Sequence, residues 1–145
     1  MLLGDDGAGV KLMERVRCEL GAEAAQFVDG GTLSFSLLPY IEATASMLVI
    51  DAANIDGEPG ALALYEGRAM DGFLKSTRRR TVHEVGLIDL MDMARVRDCL
   101  PARRALLCIQ PLRIEWSEAL STPVLRAMPD AIRVARAQLR RWNIL

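Results

Sequence analysis

The chain is poor in the features that mark an exported or cross-linked protein. Its three cysteines, Cys18, Cys99 and Cys108, are odd in number and show no Cys-x-x-Cys spacing, which argues against a disulfide framework or a thiolate zinc site. Buried, inert thiols in a reducing cytoplasm are the expectation. No apolar run approaches the ~20 residues needed to cross a bilayer, and the opening Met1-Leu-Leu-Gly-Asp-Asp6 is too short and acidic for a signal peptide. Charge of one sign is lacking as well. Eighteen basic residues against 19 acidic ones leave a net charge of −1, so no long-range field gathers nucleic acid or a membrane surface. There is a single histidine, His83, and no Gly-x-Ser-x-Gly elbow, His-Glu-x-x-His pair or Walker loop, so the common hydrolase templates do not apply.

What is present is ordinary globular composition, with 51% hydrophobic and 26% charged residues. Residues 1–145 are expected to form one domain, a monomer, able to bury roughly two-thirds of its unfolded surface. Met47-Leu-Val-Ile50 is a continuous apolar run closed by Asp51, the pattern of a central strand covered on both faces in a largely parallel α/β sheet. Ligands bind beyond the carboxyl ends of such strands, which makes Asp51 a candidate functional acid; the alternative is a carboxylate that caps its own turn.

Gly4-Asp-Asp-Gly-Ala-Gly9 leads into Val10, Leu12, Met13, Val16 and Leu20, a loop running into an amphipathic helix. Asp5 and Asp6 sit where carboxylates cap helices, although two adjacent acids exceed what a cap needs. Gln26-Phe-Val28 predicts a short strand ending at Asp29-Gly-Gly-Thr32, and Phe35, Leu37, Leu38 and Ile41 predict a helix to Glu42. Ala61 to Tyr65 predicts a further strand, antiparallel to its neighbour across a turn-rich loop. Residues 67–82, with Lys75, Arg78, Arg79 and Arg80, read as an exposed basic loop before His83. It is either merely solvated or a dock for an acidic partner segment. Val85, Leu87, Ile88, Leu90, Met91, Ala94 and Val96 predict a helix, Ala105 to Ile109 the last clear strand with an extension through Ile114 and Trp116, and Val124, Leu125, Ile132, Val134, Ala135 and Leu139 a closing helix. A sheet of this kind brings strand ends to one edge, where Asp6, Asp29, Asp51 and His83 could meet and hold a borderline divalent ion with open positions.

Gly4-Asp-Asp-Gly-Ala-Gly-Val10, Asp29-Gly-Gly-Thr32, Val49-Ile-Asp-Ala52, His83-Glu-Val-Gly-Leu87 and Ile109-Gln-Pro111 follow one another in the order and at the intervals of one family. The chain resembles the hydrogenase maturation endopeptidases, which remove a C-terminal extension from the large-subunit precursor of [NiFe]-hydrogenases after nickel insertion. The resemblance implies a three-layer α/β/α fold, no tightly bound cofactor, and nickel presented by the substrate. It places the family's metal contacts on Asp6, Asp51 and His83 and its Asp-Gly-Gly-Thr acid, with a role in holding the scissile segment or activating water, on Asp29. Asp6 is one methylene shorter than the glutamate of many relatives. Leu33-Ser34 stands where many have a glycine, and the family's first strand with its Gly-x-Gly-Asn segment is expected to be missing. A module that binds the metallated precursor without cutting it, and a nucleotide-binding domain built on the glycine-rich helix entry, are the rival readings.

Overall fold

The computed structural model describes residues 4–31, 35–78, 86–112 and 119–145. Along these the chain forms a 3₁₀ turn at Gly4–Gly7, then α1 (Ala8–Leu20), a second 3₁₀ turn (Phe35–Leu37) continuous with α2 (Leu38–Glu42), β1 (Ser46–Ala52), β2 (Leu62–Glu66), α3 (Arg68–Arg78), α4 (Leu87–Val96), β3 (Arg103–Ile109) and α5 (Thr122–Arg141). The fold is α/β with a mixed sheet of order β1-β3-β2. Arg103 N–H donates to Ala45 O and Ala53 N–H to Ile109 O, so β1 and β3 run parallel. Gly60 N–H donates to Gln110 O and Gly67 N–H to Arg104 O, which runs β2 antiparallel to β3.

The central strand is therefore β3, not β1. Ala105 to Ile109 are all buried whereas β1 and β2 are half-buried for most of their length. The expected pairing of the Ala61 to Tyr65 strand with the strand before it is also replaced, because β3 comes between them. Two other expectations fail. Gln26 to Val28 is irregular backbone, not a strand. Residues 68–78 are helix α3, where an exposed loop was expected: Met70 is fully buried, Asp71 nearly so, and Phe73 stacks on Tyr65 with ring centroids 4.3 Å apart. Positions 70, 73, 74 and 77 carry the helical spacing that the flanking arginines obscure.

The chain divides into two compact units. The first comprises Met1–Phe27, Leu48–Leu64 and Leu106–Leu145, the second Val28–Met47 and Tyr65–Ala105. In the first, α1 packs on α5 around Leu12, Val16, Leu107, Ile109, Val124 and Met128. The closing helix follows its expected register, Pro123 falling in the first turn where a missing N–H is harmless; Leu125, assigned to the apolar face, is exposed. In the second, Leu38, Ile41, Leu90 and Ala94 form a smaller core. Asp71, in the same unit, is gripped by arginines: Arg104 Nε and Nη2 reach its two oxygens at 2.9 and 2.7 Å, and Arg95 Nη2 adds a bond at 3.2 Å. Val96, expected on the apolar stripe of α4, is 86% exposed.

Candidate active site

Asp51 is the penultimate residue of β1, at the edge where the parallel strands β1 and β3 end together. The start of α1 lies directly against it. A Cβ added to Gly9 would stand 2.5 Å from Ile50 O and 3.3 Å from Asp51 Cα, so only glycine permits this approach of helix to strand end. Asp6, three residues before Gly9, is exposed and close enough for its charge to act on Asp51.

The Asp51 carboxyl is open to solvent on one side, but the protein packed around the rest of it disfavours the charged form. Its pKa is pushed up to about 6, chiefly by that desolvation and further by the negative charge of Asp6, against the opposing effect of the hydrogen bond donated by Ala52 N–H. Asp51 thus makes the turn-capping bond of the simpler reading and is also a perturbed acid at a strand end. Beneath it, Cys108 is fully buried, and burial together with the Asp51 charge raises its thiol to about 12. That thiol is inert, as expected. Cys18 is exposed, contrary to expectation, and Cys99 half-buried.

Two residues outside the expected set hold the surrounding loops. Gln110 Oε1 accepts hydrogen bonds from Ile55 N–H at 2.8 Å and Gly57 N–H at 3.4 Å, fixing the loop that follows Asp51. Asp5 is 1% exposed and accepts bonds from Leu112 N–H at 2.8 Å, Ser121 N–H at 2.7 Å and Ser121 Oγ at 2.7 Å. An acid beside a helix start is read as a cap from sequence, and neither of these contacts leaves a local sequence signal.

The other expected members divide. Asp29 belongs to the second unit; it is exposed and its Oδ1 accepts Gly31 N–H at 2.8 Å across a turn in which Gly31 has φ of 48°. His83 lies outside the described residues, as do Arg79, Arg80, Thr32 to Ser34, Ile114 and Trp116. Among the described residues no three His, Cys, Asp or Glu side chains converge as a metal cage. Asp6 and Asp51 are the described members of the expected set that could offer carboxylate oxygens to a divalent ion, with its other positions left for outside ligands. An open groove of about 710 Å³ between α1 and α5, lined by Lys11, Glu14, Cys18, Leu125, Met128 and Ile132 among others, includes neither acid. No described helix is long and apolar enough to cross a membrane.

These features describe a small α/β protein with a perturbed acid, Asp51, at the carboxyl end of a parallel strand and within reach of the charge of Asp6. The family profile of HycI, hydrogenase maturation protease, matches residues 10–138. The hydrogenase expression/formation protein HupD of Rhodobacter capsulatus is 30% identical over 99% of this chain and 69% of its own length. HoxM of Cupriavidus necator is 28% identical over 99% of this chain and 71% of its own. The hydrogenase maturating endopeptidase HybD from E. coli shares the fold, with a TM-score of 0.82 at 22% identity over 97% of this chain and 86% of that one. The chain belongs to the hydrogenase maturation protease family and is a peptidase.

Proposed function

We propose that the chain removes the C-terminal extension of a [NiFe]-hydrogenase large-subunit precursor after nickel insertion. What supports the reading is Asp51 at the end of β1, an acid raised by burial and, more weakly, by the charge of the exposed Asp6: acids within one another's field favour a divalent cation nearby. Nickel arrives with the substrate, so a site with open positions suits it better than a closed cage. Asp6 and Asp51 engage that nickel, and His83 is the third donor on the strength of its motif.

Held in this way, the peptide next to the metal has its scissile carbonyl polarised and its backbone positioned. A carboxylate of the site takes a proton from water as the water oxygen attacks the carbonyl carbon, and the proton passes to the departing amine nitrogen as the C–N bond breaks. Asp29 supplies a further acid for holding the scissile segment or activating the water. Because binding is gated by the metal, cleavage waits for nickel insertion. The protein is read as acting in the cytoplasm, as a monomer and without a cofactor of its own.

The test mixes the purified chain with nickel-loaded and nickel-free precursor and weighs the products by mass spectrometry. Shortening of the loaded precursor alone is the expected result. A precursor left intact in both forms rejects the reading in favour of a binding role.

A further inference from the structure

Asp5 and Asp6 are adjacent, yet they do opposite things. Asp6 is exposed and its charge reaches Asp51, whereas Asp5 is buried and tied to segments 107 and 116 residues away. Its Oδ1 accepts Ser121 N–H, and its Oδ2 accepts Leu112 N–H and Ser121 Oγ. A main-chain N–H points at each oxygen, so an amide in its place would turn an NH₂ against a donor, and a serine would be too short to serve both. Carboxylate is what the position requires.

The groups it gathers come from the segment that follows β3 and from the start of α5. Leu112 is three residues beyond Ile109, whose carbonyl holds Ala53 just after Asp51, and Ser121 is the N-cap residue of α5. On the other side of Asp6, Gly9 rests on Ile50 O and Asp51 Cα. Asp6 is therefore held where the Gly4–Gly7 turn enters α1, between one anchor at position 5 and another at position 9. We propose that Asp5 is a positioning residue for the reaction: its tie to Leu112 and Ser121 seats the start of α1 on the end of β1 and so sets Asp6 against Asp51. The catalytic half of this claim rests on the protease reading; the geometric half does not.

The experiment uses the full chain as wild type, Asp5→Asn, Ser121→Ala and, as a destabilised control in the other unit, Asp71→Asn. The nuclear Overhauser cross-peak between Gly9 and Asp51 Hα reports the seating, kcat for the nickel-loaded precursor reports the chemistry, and Tm reports stability. Asp5→Asn is expected to weaken the cross-peak and lower kcat about tenfold or more, the loss matching one charge-assisted hydrogen bond. Ser121→Ala, which removes only the hydroxyl contact, should move both readouts in the same direction by less. Asp71→Asn should lower Tm while leaving the cross-peak as in wild type.

A folded Asp5→Asn that loses Tm but keeps the cross-peak and kcat overturns the proposal. Should Asp5→Asn not fold, Ser121→Ala decides, and a wild-type cross-peak and kcat there overturn it equally. Loss of the cross-peak in Asp5→Asn, with no cleavage even by wild type, leaves the positioning role standing and assigns the failure to the protease reading.

Discussion

Asp51 and Asp71 are aspartates in the two units of one small chain, and their surroundings push them in opposite directions. Asp71 is buried but gripped by Arg104 and Arg95, which hold its carboxyl below the ordinary 3.8, the hydrogen bond from Arg104 contributing most. Asp51 is raised to about 6 by burial and, more weakly, by the like charge of Asp6, against the hydrogen bond from Ala52 N–H. An acid satisfied by arginines serves the fold. An acid held at a strand end and raised by burial and a neighbouring charge is the kind of group that functional sites use.

The contrast can be broken from either side. The largest effect is expected from Asp51→Asn, with cleavage reduced on the order of a thousandfold, the middle of the range for loss of an acid–base group. Stability should move the other way. With the folded pKa near 6 and the ordinary value at 3.8, the native state binds the extra proton between those limits, so the contribution of Asp51 to stability falls as pH rises from about 4 to about 6. Denaturant melts of Asp51→Asn across that window should lack this fall, and a wild-type slope in the variant would contradict the assignment.

Asp71→Ala comes next, at about 3 kcal/mol of lost stability by urea denaturation, because it leaves the mostly buried Arg104 guanidinium without its partner. Here the pH sign is reversed. A depressed carboxyl stabilises the fold above its ordinary pKa, and the contribution is lost as pH falls below about 3.8 towards the lower folded value. Gly9→Ala should cost about 1–3 kcal/mol through overpacking and should also slow cleavage, since the added carbon would press on the backbone of Ile50 rather than on a yielding side chain. Smallest is Arg136→Ala, which removes an exposed ion pair with Glu19 at 3.1 Å; its cost by the same denaturation should stay under about 1 kcal/mol.

How much of this was legible in the sequence follows from the range of the forces involved. The stripes of α1, α4 and α5 and the apolar run of β1 are written locally, because each element must bury one face whatever it meets. The motif order led to the family, and Asp51 at a strand end followed from the run that it closes. Helix α3 was hidden because its buried positions are interrupted by Asp71, which reads as a solvent residue until Arg104 is known to face it. The Gln26 to Val28 segment shows the converse: three residues of strand propensity without a ladder partner in the described sheet remain irregular.

By itself the sequence determined the class of fold, the helical registers and the acids available for chemistry, since periodicity and motif spacing lie along the chain. Tertiary structure alone decided that β3 and not β1 is central, that Asp5 binds loops while Asp6 stays exposed within reach of Asp51, and that Asp51 and Asp71 are shifted to opposite sides of an ordinary carboxyl. Strand order and pKa depend on which distant segments come to lie within a few ångströms, and long-range contacts of that kind leave no mark on the local pattern of residues.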